Sequence, residues 1–371
     1  MAVYNWQRND WPHFTYHLKE VENSLLLLAE KTGHISGILK ALPESVQSET
    51  IIELMVAEAI KTSEIEGEYF SRQDVMSSIK KNLGLQKSPE TIRNKKAEGI
   101  GELMSDVRKT FQERITAKKL FSWHSMLMAD RRNVLIGAWR KHTEPMQVIS
   151  GAIEKEKIHY EAPPSVRVPA EMKQFISWFN ATGPGGQKEI PIPVIRSAIA
   201  HLYFETIHPF EDGNGRIGRA IAEKCLSQGL GRPVLLSLSR TIEANKRAYY
   251  DALQEAQRSN EITPWINYFV QLALDAQTEA EEQVEFTLRK VKFFDKFGKH
   301  LNERQQKVVT RMLEEGPKGF KGGMSASKYG SLAKTSKATA TRDLQDLLDK
   351  GVFILMDEGG GRNTKYQIHL T

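Results

Sequence analysis

The 371-residue chain has a single cysteine, Cys225. One thiol excludes the internal disulfide framework that holds many small secreted domains together. Cys225 lies on the apolar face of a helical pattern, which favours a core position over a reactive thiol. We therefore expect apolar packing and hydrogen bonds, without covalent cross-links, to hold the fold together.

Long apolar runs are also lacking. No stretch approaches the roughly 20 apolar residues that a membrane-spanning helix needs. The first residues, Met-Ala-Val-Tyr-Asn-Trp, lack the charged start and apolar centre of a secretory signal. These absences predict a water-soluble protein, and the cytoplasm is the expected location.

A strong charge of one sign is absent from the chain as a whole, since 52 Lys and Arg stand against 46 Asp and Glu. The length suggests two or three domains. The basic excess is unevenly placed, because residues 299–371 hold 13 basic and 8 acidic side chains, a net charge of +5. A basic terminal module on a nearly neutral body predicts an anionic partner for that module alone.

One segment, residues 208–219, combines several side chains that a nucleotide-consuming enzyme needs. A helical pattern over residues 193–207 ends at the Pro209-Phe210 step, because the residue before a proline is disfavoured in the α region. A second helical pattern begins near Gly215. The segment is therefore predicted to be a corner between two helices, with its polar side chains in the loop.

The backbone of this corner suits an anion. N–H groups at a helix start lack intrahelical acceptors, and glycines on both sides of Asn214 let a phosphate approach closely. Arg216 and Arg219 share one helix face and can donate to phosphate oxygens. A helix-capping turn followed by surface arginines is the simpler interpretation, but it leaves the remaining residues of the corner unexplained.

Two further side chains in the corner suit catalysis. Asp212 would repel a phosphate unless a cation lies between them, which suggests Mg²⁺. His208 carries an imidazole, which titrates near neutral pH and suits a general base for a hydroxyl nucleophile. A buried core histidine is the other interpretation of His208.

The corner resembles the signature of the Fic family, His-Pro-Phe-x-Asp/Glu-Gly-Asn-Gly-Arg-x-x-Arg, at every position. Fic proteins are helical enzymes that mostly transfer AMP from ATP to a Ser, Thr or Tyr hydroxyl of a protein. The resemblance, over roughly residues 50–270, implies that His208 is the base and that Asp212 binds Mg²⁺. It implies nucleotide binding by Gly213, Asn214, Gly215, Arg216, Ile217, Gly218, Arg219, Tyr249, Tyr250 and Gln257.

A second motif lies at the end of a helical pattern over residues 49–65. Thr62-x-x-x-Glu66-Gly67 resembles the family's inhibitory motif, Ser/Thr-x-x-x-Glu-Gly/Asn. Thr62 and Glu66 are four residues apart and so share a helix face. The resemblance implies that Glu66 pairs with Arg219 where the γ-phosphate would bind. An ordinary solvated helix end, with Gly67 after its last turn, is the other interpretation.

Residues 146–161 have the pattern of a two-stranded hairpin with a charged tip. Gly137-Ala138-Trp139-Arg140 resembles the family's lead-in to such a hairpin. An exposed strand edge can pair with an extended target segment and bring its hydroxyl to His208, and the family resemblance implies the same role. A structural cover is the other interpretation. The predicted docking residues are Val148, Ile149, Ser150, Ile158 and His159.

The C-terminal residues follow the order of a winged helix-turn-helix. Helical patterns near residues 302–315, 325–333 and 335–348 precede strand patterns at 352–355 and 365–368. The third helix and the wing tip offer groups for phosphates and base edges, namely Lys337, Thr339, Thr341, Arg342 and Arg362. The same helix carries acids that weaken a positive field, namely Asp343, Asp346 and Asp349. DNA binding and protein docking both stay open.

These patterns predict a mainly α protein with a Fic-type helical domain, a small β-hairpin flap and a C-terminal winged helix of α+β type. The predicted parts are an N-terminal helical arm at 1–47, a catalytic domain at 48–270, a linking helix at 271–298 and the winged module at 299–371. We expect an autoinhibited adenylyltransferase that uses ATP and Mg²⁺ on an unidentified protein target or on itself. Its long helix predicts dimer contacts, so a homodimer is expected. A DNA-binding regulator that senses nucleotide, or transfer of another phosphate-containing group, is the alternative.

Overall fold

A computed structural model describes residues 4–85, 92–150, 157–317, 319–356 and 364–370, without the side chains of Ile149, Ser150 and Lys157. The chain is mainly α, as predicted. It divides into two compact units, one of residues 1–34 and 51–280 and the other of residues 35–50 and 281–371. Within the described ranges, no helix is both long and apolar enough to cross a membrane.

The described residues of the N-terminal part form five α-helices. They are α1 (Glu22–Ala41), α2 (Glu44–Ile65), α3 (Arg72–Leu83), α4 (Lys95–Lys109) and α5 (Ala117–Met128). The start of α2 was predicted too late, at Glu49, because the helix already begins directly after Pro43. Side-chain oxygens of Asn94 and Thr116 accept backbone N–H groups at the starts of α4 and α5, which satisfies donors that have no partner within the helix.

Three helices form the centre of the first unit: α6 (Val168–Ala181), α7 (Pro193–Ile207) and α8 (Asn214–Leu230). Every side chain of α7 after its first residue is buried. A helix with apolar residues on all of its faces, as α7 has, belongs inside a core, and its few polar side chains are buried with them. Apolar residues of α2 to α8 form one cluster around α7 and α8, and Cys225 is among them, as predicted. This rigid pair carries the corner between residues 207 and 214.

Three more helices follow, namely α9 (Leu238–Ala244), α10 (Lys246–Ala256) and α11 (Thr263–Phe297). Helix α11 contains the predicted linking helix as far as Phe297, and it begins eight residues earlier than residue 271, at Thr263. Its early part contributes Trp265, whose ring nitrogen donates to the carbonyl of Ala198 on α7. The first unit therefore continues into the N-terminal part of α11.

The predicted hairpin is present. Strand β1 (Gln147–Ser150) pairs antiparallel with β2 (Lys157–Glu161), with an irregularity between Val148 and Ile149. The base of the hairpin is anchored, because buried Tyr160 donates its hydroxyl to the carbonyl of Thr206, 2.7 Å away. The ring nitrogen of Trp6 donates to the carbonyl of Glu161 at 2.8 Å. The charged tip lies outside the described residues.

The second unit contains α12 (Glu303–Leu313), α13 (Ala326–Ala333), α14 (Lys337–Asp349) and the antiparallel strands β3 (Phe353–Leu355) and β4 (Tyr366–Ile368). Met324 adds a bridge to Tyr366 that the sequence did not predict. An apolar cluster from all of these elements forms the core of the unit. The element order agrees with the prediction, and Arg362 lies outside the described residues.

Candidate active site

The corner between α7 and α8 is closed by backbone geometry. His208 follows α7 with φ 49, and its N–H donates to the carbonyl of Phe204 at 3.0 Å. Gly213 has φ 84 and precedes the first residue of α8. A non-glycine residue in the left-handed region is uncommon and costs free energy. The fold holds His208 in that conformation directly after the end of α7.

Asn214 holds the loop together from inside. Its side-chain oxygen accepts the N–H of Phe210 at 2.9 Å, and its side-chain nitrogen donates to the carbonyl of Phe210 at 2.8 Å. Because the amide is engaged in the loop, a phosphate at this helix start would meet the backbone N–H groups of α8 first.

Arg140 holds the same loop from outside. Its backbone N–H donates to the carbonyl of Pro209 at 2.9 Å, and its Nε donates to the carbonyl of His208 at 2.8 Å. The guanidinium also reaches the carbonyl of Pro163 at 2.5 Å and the hydroxyl of Ser165 at 2.8 Å. Burial lowers the pKa of Arg140 to about 10, so the group remains charged at neutral pH.

His208 lies in a setting that keeps its ring neutral. Burial lowers its pKa to about 4, and the nearby positive charge of Arg140 acts in the same direction. Its Nδ1 lies 3.8 Å from a carboxylate oxygen of Glu205. Burial raises the pKa of Glu205 to about 8, so this carboxyl is mostly protonated at pH 7. A neutral imidazole can accept a proton, as a general base must.

His201, also on α7, is a core residue. It is buried, and its Nε2 lies 2.7 Å from the hydroxyl of Tyr249. Burial lowers its pKa to about 4. His201 therefore lies in the core and contacts the hydroxyl of Tyr249.

A cavity of about 770 Å³ lies beside the corner. That volume is within the range of small-molecule sites. Residues from the hairpin, the corner, the end of α2 and helix α10 line it, including Glu66, Val148, His159, His208, Gly215, Arg219, Tyr249, Tyr250 and Gln257. The structure thus brings together predicted base, nucleotide-binding, inhibitory and docking residues around one space.

Other predicted site residues lie outside the lining. Ile217 is fully buried in the core. Gly218 packs so closely that a Cβ there would lie 2.2 Å from a carboxylate oxygen of Glu205. Ile158 is about half exposed at 49%. The side chains of Ile149 and Ser150 lie outside the described residues.

The end of α2 covers the start of α8. Arg219 donates from Nε to the Thr62 hydroxyl at 2.7 Å and from Nη2 to the Glu66 carboxylate at 2.7 Å. Nη2 also lies 3.0 Å from the carbonyl of Thr62. Burial opposes ionisation of Glu66, but the attraction of Arg219 outweighs it and lowers the pKa of the carboxyl. A Cβ on Gly215 would lie 2.3 Å from the same carboxylate, so Glu66 lies directly against the helix start.

Asp212 lies at the mouth of the corner. One of its oxygens accepts the N–H of Gly213 at 2.6 Å, and the side chain is 38% exposed. Arg131 and Arg216 each lie 3.5 Å from its oxygens. An accessible carboxylate next to a helix start is suited to hold a hard cation between itself and a phosphate.

Several residues that shape the site were not predicted. Glu205, Glu68 and Arg131 are brought to it by tertiary contacts. Glu205 did have a signal, since it is the one acidic residue in a mostly apolar helical run. The N-terminal arm also reaches the site, because the backbone N–H of Asn5 donates to the carbonyl of Gln257 at 2.8 Å.

Solved structures show which fold the chain has. A Fic family protein from Desulfovibrio desulfuricans superposes with a TM-score of 0.52 at 19% identity, covering 96% of this chain and 98% of that one. A Fic domain containing signaling protein from Bacteroides thetaiotaomicron gives a TM-score of 0.53 at 17% identity, covering 71% and 97%. At these identities the likeness concerns the fold, which is of Fic type.

Sequence comparisons match parts of the chain to known families. Residues 114–226 match the Fic/DOC family, and residues 4–85 match a domain of unknown function, DUF4172. A probable protein adenylyltransferase of Aquifex aeolicus is 33% identical over 98 residues, which is 26% of this chain and 27% of the relative. A protein adenylyltransferase Fic of Culex quinquefasciatus is 33% identical over 97 residues, which is 26% of this chain and 17% of that relative.

The chain therefore contains a Fic/DOC domain, which confirms the resemblance seen in residues 208–219. It spans only about a quarter or less of the length of these curated relatives. The DUF4172 match ends at residue 85 and so includes both the predicted N-terminal arm and the predicted inhibitory helix.

Proposed function

We propose that the protein transfers AMP from ATP to a hydroxyl of a protein, and that Glu66 keeps it in an inhibited state. The observation that carries this proposal is the convergence of His208, the start of α8 and Arg219 on one cavity that Tyr249 and Tyr250 also line. The names of the relatives, which are protein adenylyltransferases, support the same reaction.

The nucleotide would lie along this cavity. The N-terminus of α8 suits the α-phosphate, because its backbone N–H groups have no intrahelical acceptors. Arg216 and Arg219 suit the β- and γ-phosphates, since guanidinium groups bind phosphate oxygens in pairs. Tyr249, Tyr250 and Gln257 would wall the adenine.

Asp212 would hold Mg²⁺. Its carboxylate is accessible and lies next to the helix start, so an ion there would separate it from the phosphates. When bound, the ion would neutralise part of the negative charge of the triphosphate. Arg131 and Arg216 now share the space around this carboxylate at 3.5 Å each.

The transfer step needs one base. The target hydroxyl oxygen would form a bond to the α-phosphorus while the bond from that phosphorus to the bridging oxygen of the β-phosphate breaks. The hydroxyl proton would pass to the neutral ring of His208, and pyrophosphate would leave. Glu205 lies near Nδ1 of the His208 ring, so Nε2 is the nitrogen that would accept this proton.

The hairpin would present the target. Val148 and His159 line the cavity beside His208, and an extended segment of the target could pair with a strand edge there. The anchoring of Tyr160 to the carbonyl of Thr206 would keep that edge at a constant distance from the corner.

Inhibition would follow from the state of Arg219. Its guanidinium is buried and already donates to Thr62 and Glu66. A γ-phosphate would have to displace the Glu66 carboxylate to reach it. The ion pair would therefore weaken ATP binding or shift the triphosphate away from a productive position.

The position of the label in ATP tests the reaction. We expect the protein, and more strongly its Glu66→Gly variant, to become labelled by ATP carrying the label at the α-phosphate. ATP labelled at the γ-phosphate should give no labelled protein, because that group leaves as pyrophosphate. Labelling from the γ position would indicate phosphate transfer, and labelling only from α-labelled UTP would indicate UMP transfer. Either result contradicts the proposal.

A second candidate function, DNA binding, concerns α14 in the second unit. Lys337, Thr341 and Arg342 are exposed on this helix, while Thr339 is half-buried near its start. Asp343 was expected to weaken the positive field, but it is only 7% exposed and accepts from Arg304 at 2.8 Å. A basic, polar helix face of this kind suits DNA phosphates.

The other two aspartates of α14, Asp346 and Asp349, differ in whether a basic side chain neutralises them. Asp346 accepts from Gln305 at 2.7 Å and from Lys350 at 2.5 Å, and Asp349 remains exposed. Of the three aspartates, Asp349 is therefore the one whose charge faces solvent without such a basic partner in the described residues. The field on this helix is more positive than its composition suggested.

The DNA proposal predicts a salt-dependent interaction. We expect Arg342→Ala in the full-length protein to weaken binding to duplex DNA and to lower the slope of log affinity against log salt by about one. Arg311→Ala is the matched control, because Arg311 lies on α12 and pairs with Glu315. DNA binding that does not respond to salt, or an equal effect of both variants, would favour a protein-docking module instead.

A further inference from the structure

The segment after the end of α2 carries a second carboxylate toward α8. Gly67 has φ 77, and the N–H of Glu68 donates back to the carbonyl of Ser63 at 2.9 Å. This turn ends the helix with a left-handed glycine. It reverses the chain, so that Glu68 and Glu66 both lie against α8.

Three basic side chains converge on Glu68. Arg216 Nη1 lies 2.5 Å from its carboxylate, Arg131 Nη2 lies 2.9 Å away and Lys96 Nζ lies 3.0 Å away. They come from α8, from the segment after α5 and from the first turn of α4. The side chain of Glu68 is only 12% exposed. Three cations this close repel one another, so the cluster needs an anion at its centre.

Arg216 has an unused donor in this cluster. Its side chain is 4% exposed, and its buried Nε has no hydrogen-bond partner among the described residues. A buried donor without a partner is costly. An anion with more oxygens than one carboxylate could satisfy it.

Glu66 and Glu68 pair with two different arginines of α8. Glu66 pairs with Arg219, and Glu68 pairs with Arg216. The two arginines are three residues apart and share a face of α8. Arg216 also lies 3.5 Å from Asp212. The nearest negative partners of the two arginines, Glu66 and Glu68, come from one short segment. Two linked anionic groups along one helix face are also the chemistry of a diphosphate.

We propose that Lys96, Arg131 and Arg216 form a pocket for the pyrophosphate portion of the nucleotide, and that Glu68 fills this pocket as a second inhibitory carboxylate. The inference rests on the proposed function, because it assigns the anion to the donor nucleotide. Withdrawal of the segment after α2 would remove Glu66 and Glu68 together and leave the cations to the β- and γ-phosphates. Lys96 and Arg131 then stabilise pyrophosphate as the leaving group.

Binding of inorganic pyrophosphate, measured by titration calorimetry without added metal, tests the pocket. We expect the double variant Glu66→Gly with Glu68→Gln to bind pyrophosphate on the order of tenfold more tightly than Glu66→Gly alone. The reason is that the Glu68 carboxylate fills the pocket in most molecules, and the apparent affinity for pyrophosphate falls in proportion to the fraction of molecules in which the pocket is open. Adding Arg131→Met should reverse most of this gain. Affinity for AMP, which lacks the pyrophosphate portion, should change less than about twofold in all three proteins.

Glu64→Gln in the Glu66→Gly background is the matched control. It also removes a carboxylate from the end of α2, but Glu64 contacts Lys61 at 2.5 Å. It should leave pyrophosphate affinity unchanged. An unchanged affinity in the Glu68→Gln protein, with thermal unfolding showing an intact fold, overturns the proposal.

A second pair of variants covers the case in which Glu68→Gln does not fold. Lys96→Met and Arg131→Met in the Glu66→Gly background retain Glu68 and should each weaken pyrophosphate binding several-fold. If neither variant weakens pyrophosphate binding, the proposal is overturned. The proposed function and the proposed pocket can fail separately. Pyrophosphate binding without AMP transfer contradicts only the function. AMP transfer with unchanged pyrophosphate binding in the Lys96 and Arg131 variants contradicts only the pocket.

Discussion

The Glu66→Gly variant is expected to label itself with α-labelled ATP on the order of 10- to 100-fold faster than the unchanged protein. The physical reason is the state of Arg219, whose guanidinium donates to the Glu66 carboxylate at 2.7 Å. Removal of that carboxylate leaves a buried positive charge beside the start of α8. A γ-phosphate can then take the place of the carboxylate.

Removing Glu66 also uncovers the backbone. The carboxylate lies so close to the helix start that a Cβ on Gly215 would be 2.3 Å from it. Without it, the N–H groups at the start of α8 and the side chain of Arg219 face the same anion. We therefore expect both a lower KM for ATP and a higher kcat, since the triphosphate gains contacts and a productive position.

Glu64→Gly is the control for this variant. It introduces glycine at the same end of α2 and so carries the same helix-destabilising effect of about 1 kcal/mol. Its side chain contacts Lys61 rather than Arg219. Equal activation by both variants would mean that loosening the helix end matters and that the ion pair does not. No activation by Glu66→Gly would remove the inhibitory role.

His208→Ala, made in the Glu66→Gly background, is expected to lower transfer of AMP by on the order of 10²- to 10⁴-fold, which is the usual contribution of a general base. Binding of ATP should persist, because the α8 start and both arginines are unchanged. The measurement is labelling from α-labelled ATP, alongside a separate titration of ATP binding.

The pH dependence of this step follows from the shifted pKa. Burial lowers the pKa of His208 to about 4, so the ring stays neutral well below the pH at which an exposed histidine gains its proton. Transfer should therefore persist as the pH falls from 7 to about 5, and it should decline as the pH approaches 4. A decline in AMP transfer centred near the ordinary histidine pKa of about 6.5 would contradict the lowered pKa of His208.

His142→Ala is the matched control for His208→Ala. His142 is partly exposed, and its Nδ1 lies 2.8 Å from the carbonyl oxygen of Glu144. It is not among the residues that line the cavity. It should retain full transfer. If His208→Ala also retains transfer while folding normally, another group accepts the proton and the assignment of the base fails.

Helices with strong local patterns were predictable. The sequence pattern placed α7 at residues 193–207, and the structure has the same bounds. The Pro209-Phe210 step ended it because a residue before proline avoids the α region. The second helix of the corner begins at Asn214, one residue earlier than predicted, because Gly213 takes the left-handed conformation just before it.

Helix α4 shows why other helices were not predicted. It contains Gly99 and Gly101, and glycine within a helix is unfavourable in isolation. A Cβ at Gly99 would lie 1.9 Å from the carbonyl oxygen of Met126, and one at Gly101 would lie 2.5 Å from the Ser78 hydroxyl. Close packing between helices, which the local pattern does not contain, makes glycine necessary at both positions.

The amino-acid sequence alone determined the features that depend on neighbours along the chain. These are the corner at residues 208–219, the shared helix face of Thr62 and Glu66, and the order of elements in the second unit. Their physical basis is local, since backbone preferences and helical spacing act over a few residues.

Only the tertiary structure decided which distant charges meet. Arg140 holds the carbonyl of His208 across 68 residues of chain, and Arg216 meets Glu68 across 148. Burial, which depends on the whole fold, also lowers the pKa of His208 and raises that of Glu205. No spacing rule links residues this far apart, because their contact depends on how helices pack and not on the positions of their side chains along the chain.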